Sequence, residues 1–222
     1  MQTREVIRMA VDLGMTVLLL LLMGYSRVGE TAHEWLGIAM FALFTAHHIL
    51  NRSWIRHIGK GRYTPYRVFQ TFLAALIFLT MLGSMGSGIL LSKHVFTFLS
   101  VCGVAAAART VHHLCGYWNS VLLSVHIGLH GSMMLGAVNR RSKTAARAIA
   151  WINAVLAAYG VYAFIKRQLG AYLTGQVMFS FFDYNEPLPL FLLDYLAIMA
   201  LFTLAGYALS ALLKKAGANR KG

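Results

Sequence analysis

Apolar residues fall into six long blocks separated by short polar connections, at about 5–26, 31–55, 65–92, 109–138, 145–166 and 187–213. Each approaches or exceeds the roughly 20 mostly apolar residues that carry a helix across a bilayer. The pattern predicts an all-α fold: a polytopic membrane helical bundle of about six transmembrane helices, with residues 1–222 forming one integral membrane domain. Residues 93–108 are too short to span with their flanks and are expected along one surface. Residues 167–186 form the other sizeable loop, and its Phe179, Phe181, Phe182, Asp183, Tyr184 and Glu186 read as a docking surface or an interfacial anchor.

Composition agrees with this pattern. The chain is 58% hydrophobic and only 12% charged, with mean hydropathy +0.62, against about 25% charged residues in an ordinary soluble domain. A net charge of +13 raises nucleic acid as a partner. The basic residues flank apolar blocks instead of forming one patch, so no nucleic-acid partner is expected.

Charge also orients the spans. If the N-terminus is cytoplasmic, the inner segments hold Arg4, Arg8, Arg52, Arg56, Lys60, Arg62, Arg67, Arg140, Arg141, Lys143, Arg147, Lys214, Lys215, Arg220 and Lys221. Arg27, Lys93, Arg109, Lys166 and Arg167 remain outside, with Glu30, Glu34, Asp183, Glu186 and Asp194. The positive-inside rule then places both termini in the cytoplasm. The basic start at Met1–Arg8 resembles a secretory leader, but Gly24-Tyr25-Ser26-Arg27 is a poor cleavage site and a second apolar block follows directly. The first block is therefore read as a retained span. Cys102 and Cys115 lie near the outer face, where they are isolated apolar residues or a pair in an oxidising compartment.

Two blocks carry histidines at a repeated interval: His33 and His47, then His112 and His126. Fourteen helical residues advance about 21 Å and fall within about 40° of whole turns. Each pair therefore sets one imidazole near each membrane face, on nearly one stripe of its helix. In the six-span topology both helices run in the same direction, so His33 can face His112 and His47 can face His126. Ionisable groups inside a bilayer need partners, and imidazole is a good axial ligand for haem iron. The spacing predicts two stacked bis-imidazole sites for two b haems, within a four-helix haem-binding core over 1–138. Residues 139–222 add two further C-terminal spans. No Cys-x-x-Cys-His motif indicates covalent attachment.

Neighbouring residues leave alternatives open. His48 and His113 adjoin the favoured ligands but are rotated by about 100°. His130 sits one turn beyond His126, where it would bond a propionate, line a quinone pocket or simply pack. Gly37 and Gly116 each follow a predicted ligand by four residues and suit close approach of a flat macrocycle. Gly83, Gly86 and Gly88 with Ser84 and Ser87 make a small-residue patch that also suits ordinary helix packing. Arg52, Arg56 and Arg109 are candidate propionate partners. His57 and His94 read as loop residues.

Four segments within residues 31–130 carry a family resemblance: His33-Glu34-Trp35-Leu36-Gly37, His47-His48-Ile49-Leu50-Asn51-Arg52-Ser53-Trp54, Ser87-Gly88-Ile89-Leu90-Leu91-Ser92 and Ser124-Val125-His126-Ile127-Gly128-Leu129-His130. They resemble the flavinylation-associated membrane cytochromes. The resemblance implies a haem-bearing, multi-pass protein of the bacterial inner (cytoplasmic) membrane, associated with flavinylated extracytoplasmic electron carriers.

The expected function is thus a membrane b-type cytochrome that relays electrons between a membrane carrier such as quinol and an extracytoplasmic flavoprotein. No nicotinamide, flavin or Walker fingerprint appears, which makes the chain an electron-transfer subunit and not a complete oxidoreductase. The rivals are a histidine-using proton or metal transporter and a haemless anchor of a larger complex. Transport favours acidic groups within spans, but only Asp12 lies clearly within one, with Asp194 near an outer end.

Overall fold

A computed structural model describes residues 3–99, 103–177 and 185–219. They form α1 (Thr3–Met23), α2 (Tyr25–Val28), α3 (Glu30–Leu50), α4 (Arg52–Arg56), α5 (Pro65–Leu91), α6 (Ala105–Arg141), α7 (Lys143–Lys166), α8 (Leu169–Leu173) and α9 (Leu188–Asn219), with one 3-10 turn at Thr97–Leu99. No strand occurs among the described residues.

Local chemistry sets several boundaries. Gly29, at φ 84°, turns the chain between α2 and α3 in a region that favours glycine. Pro65 opens α5, and the Thr64 hydroxyl accepts from the Arg67 amide. Ser142 ends α6 in an extended conformation and caps α7 by accepting from the Ala145 amide.

Among the described residues, five helices are long and apolar enough to cross a membrane: α1 from Arg4, α5, α6, α7 and α9 to Ala218. Only a minor share of each apolar stretch is buried within the protein, as a lipid-facing bundle requires. The helix α3 matches α1 at 21 residues, about 31 Å, but its three histidines, Glu30 and Glu34 dilute its apolarity. The six expected spans are therefore five by this measure, with α3 as the polar sixth helix.

Other boundaries also depart from the expected ones. The second block breaks at Asn51, leaving Arg52–Arg56 as the separate α4. Residues 105–108, expected on a surface, instead begin α6. At 37 residues, α6 extends about 55 Å and outruns a hydrocarbon core of roughly 30 Å. It also continues past 138 to Arg141.

Contacts between helices fix their directions. Arg8 donates to the Leu50 carbonyl at 2.6 Å, so α1 and α3 are antiparallel. Glu34 meets Ser92 beyond the end of α5, and His112 meets Ser84, so α3 and α6 both oppose α5. Hence α3 and α6 are parallel. The helix α9 runs alongside α6, with Thr203 donating to the Ser124 carbonyl and Lys214 to Ser132. The N-terminus of α1 and the C-termini of α3, α6 and α9 gather at one end, together with Arg52, Arg140, Arg141 and Lys214. We call this the basic end and the other the far end.

One core cluster joins α1, α3, α5, α6 and α9 through Leu19, Phe44, Ile77, Leu129 and Met199. A second, around Phe191, Tyr195 and Leu169, joins α6–α9. Gly128 and Gly206 let α6 and α9 approach backbone to backbone, and Gly160 does the same for α7 against α9. By contrast, α3 touches α5 sparsely, although α1 packs closely on α3 and α5 on α6. His33 on α3 and His112, which reaches α5 from α6, meet beside this loosely packed seam.

Candidate functional site

At the far end, Glu34 anchors the start of α3. Its carboxylate accepts from the Ser92 hydroxyl at 2.7 Å and from the amides of Lys93, His94 and Val95 at 2.8, 3.1 and 3.0 Å. Lys93 also pairs with Glu30 at 2.7 Å, and that hydrogen bond holds its ammonium pKa above the ordinary value. These contacts fix the height of α3 against the end of α5.

His33, one residue before Glu34, then faces His112 across the seam. Their ring centres lie 6.0 Å apart with planes inclined by 70°. His112 Nδ1 lies 2.9 Å from the Ser84 carbonyl oxygen and 3.4 Å from the Ser87 hydroxyl. A carbonyl can only accept, so Nδ1 carries the proton and Nε2 keeps its lone pair. Gly88 makes room for this ring: a Cβ there would lie 3.3 Å from His112 Cε1. His33 Nδ1 is buried without a hydrogen-bond partner, and Tyr25 packs edge-on against its ring at 5.1 Å.

At the basic end, His47 Nδ1 lies 2.7 Å from Asp12 Oδ1. Its Nε2 has only a long 3.5 Å contact with the Asn51 amide, which donates more closely to the His47 carbonyl at 2.9 Å. His126 Nδ1 is buried without a hydrogen-bond partner, like His33 Nδ1. Its ring lies edge-on to His130 at 4.9 Å, while His130 Nε2 is 3.5 Å from Gln70. No direct His47–His126 ring contact occurs among the described residues. The structure therefore shows a ring contact for the far-end pair and none for the basic-end pair among the described residues.

The alternatives separate clearly. His48 Nδ1 donates to the Phe44 carbonyl at 2.8 Å, and its ring packs against Phe44 and Phe78. His113 stacks on Tyr117 at 6.5 Å. A Cβ at either Gly37 or Gly116 would meet nothing within 4 Å, so helix packing does not explain these glycines. Gly83 does serve packing, against Cys115. Arg52 and Arg109 are exposed and make no hydrogen bond or ion pair among the described residues. His57 donates to the Ser53 carbonyl, and His94 sits in the connection after α5.

Sequence reasoning missed three groupings. Asp12 was read as a lone acid in a span, and only folding brings it to His47, 35 residues away. Glu34 was read as an outer acid, although its place inside one motif and Ser92's inside another was a usable signal. Third, Lys166 and Arg167 converge on buried Asp194 at 2.8 and 2.7 Å, and Arg167 grips Glu186 through two 2.7 Å bonds. Burial pushes the Glu186 carboxyl up, but the bonds from Arg167 and Lys166 outweigh it and hold its pKa below the ordinary value. Tyr159 completes the cluster by donating to Asp194 at 2.6 Å. These contacts tie the α7–α8 corner to α9.

Cys115 is a free thiol, while Cys102 lies outside the described residues, as do Phe179, Phe181, Phe182, Asp183 and Tyr184 of the expected docking loop. The chain matches no family model, no curated protein and no solved structure.

Chemically, this is a paired-imidazole arrangement. No group of three or more His, Cys, Asp or Glu side chains converges among the described residues, as a bare protein-ligated metal ion generally requires. Haem asks the protein for only one or two axial ligands. Two buried ring nitrogens without partners, His33 Nδ1 and His126 Nδ1, belong to predicted ligands, and such groups call for a bound partner. The two remaining predicted ligands have Nδ1 oriented by an acceptor. The far-end pair would suit a haem held by two imidazoles, and His47 and His126 carry donors of the same kind.

Proposed function

We propose that the chain is a membrane b-type cytochrome in which His33 and His112 ligate one haem and His47 and His126 a second. The carrying observation is the 6.0 Å separation of the His33 and His112 rings. Two facing imidazoles that shared one metal at about 2 Å each would have ring centres about 6 Å apart. His33 and His112 would hold the metal between them, and rotation of either ring would accommodate the 70° tilt of their planes.

Bound haem supplies reversible one-electron exchange. The chain's own residues position it. Ser84 fixes the His112 ring, Gly88 admits it to the α5 surface, and Glu34 sets the register of His33. Asp12 orients His47. Gly37 and Gly116 leave space beside the far-end pair.

In this reading α3 is the sixth span, and the basic end, with both termini, faces the cytoplasm of a bacterial inner membrane. Electrons pass between a membrane carrier such as quinol and an extracytoplasmic flavoprotein, consistent with the resemblance in residues 31–130. The pairing is tested by haem content and ferric spectra of four purified variants. H33A and H112A are expected to lose one spectral component, and H47A and H126A the other. Equal haem content and identical spectra in all four would contradict the assignment.

A second reading, proton transport, draws on the Asp12–His47 pair within a membrane helix. It predicts a haemless protein that dissipates a proton gradient in vesicles, with loss of that activity in D12N.

A further inference from the structure

The two predicted ligands with oriented rings have chemically different acceptors. His112 donates from Nδ1 to a neutral backbone carbonyl, that of Ser84, at 2.9 Å. His47 Nδ1 meets a carboxylate, that of Asp12, at 2.7 Å. Resting on the two-haem reading, we propose that Asp12 is a positioning residue for the basic-end centre and makes the two centres unequal, holding the His47 centre at the lower reduction potential.

Asp12 lies nine residues into α1, and a carboxylate at such depth in a span is costly without a partner. Its side chain has no hydrogen-bond partner among the described residues other than His47. The pairing therefore constrains both groups: Asp12 gains its donor, and His47 is held in the tautomer that leaves Nε2 available. A carboxylate acceptor draws the Nδ1 proton more strongly than an amide carbonyl does. The imidazole becomes a more basic ligand and favours the oxidised metal.

The acid nearest the far-end ligands does not offset this difference. Glu34, next in sequence to His33, directs its carboxylate at four donors in Ser92–Val95. Near the basic end, the Lys214 ammonium bonds to Ser132 and lies over the Tyr66 ring at 4.8 Å. Neither His33 Nδ1 nor His126 Nδ1 has a hydrogen-bond partner among the described residues, so the acceptors compared are those of His112 and His47.

The test is a redox titration of the purified full-length protein, monitored by the visible spectrum. The wild-type chain should titrate in two steps. In the H112A background, the surviving centre should match the lower step, and adding D12N should make its reduction at least tenfold more favourable, about 59 mV for a one-electron couple. In the H126A background, adding D12N should leave the surviving centre unchanged. D12E, which keeps the charge, should retain the wild-type potential.

Two haems with no response to D12N, or equal shifts in both backgrounds, would overturn the role of Asp12 while leaving the two-haem reading intact. If D12N loses the basic-end haem, its retention at the wild-type potential in D12E supports the proposal, and its loss there overturns it. A wild-type protein without haem would overturn the reading on which the proposal rests.

Discussion

His112 directs Nδ1 at the Ser84 carbonyl oxygen, 2.9 Å away on α5, whereas its neighbour His113 stacks on Tyr117. One residue along a helix is a rotation of about 100°, enough to send adjacent imidazoles to different surroundings. His112 reaches the seam with no hydrogen bond to Nε2 among the described residues. At the other end of the seam, His48 is held by the Phe44 carbonyl and packs against Phe78.

The register follows from these contacts. H113A and H48A are expected to retain both haems, with unchanged ferric spectra, whereas H112A and H47A each lose one. Quantifying haem per polypeptide checks this. Loss of haem in H113A with retention in H112A would move the ligand by one position.

Removing the Glu34 carboxylate should loosen the far end selectively. E34A deletes the acceptor for four donors and is expected to cost about 2 kcal/mol, because bonds to a charged group outweigh neutral ones. The melting temperature in detergent should fall, and the far-end haem should be lost before the other. E34Q can accept some of the same bonds and should fall between E34A and the native protein.

Alanine at Gly128 or Gly206 should be more damaging. An added Cβ at Gly128 would land on the Thr203 carbonyl oxygen, and one at Gly206 on that of Val125. Separating α6 from α9 is expected to cost about 3 kcal/mol in either case. G37A is the contrast: nothing lies within 4 Å of an added Cβ, so protein stability should change little. Thermal unfolding of the three variants makes the comparison.

The ion cluster at the α7–α8 corner gives a pH signature. The folded-state pKa of Glu186 is depressed, so its stabilisation is fully present above the ordinary glutamate pKa of about 4.3 and disappears as pH falls through the lower folded value. E186Q should therefore melt below the native protein at pH 7, and the gap should close below about pH 4. A gap constant from pH 7 to 3 would contradict a charge-based role.

Much of this arrangement was legible from local pattern. Each apolar block became mainly one long helix, because length and apolarity decide spanning structure, although the second broke at Asn51 and the last ran on to Asn219. The parallel course of α3 and α6 followed from the alternation of spans; the histidine interval set His33 opposite His112, whose rings meet, and His47 opposite His126, whose rings make no contact among the described residues. The partners were not legible. Asp12 and His47 are 35 residues apart, Glu34 and Lys93 59 apart, and Arg167 and Asp194 27 apart. Nothing local distinguishes a carboxylate that will orient a histidine from one that marks an interface. The start of α6 at Ala105 was missed for a related reason: an alanine run carries little apolar signal although it favours helix strongly.

The central claim is that this chain holds two haems on paired histidines. A reduced-minus-oxidised spectrum of the purified full-length protein, expressed with adequate haem supply and quantified per polypeptide, addresses it most directly. Two b haems per chain is the predicted result. A protein that folds and purifies without haem would contradict it.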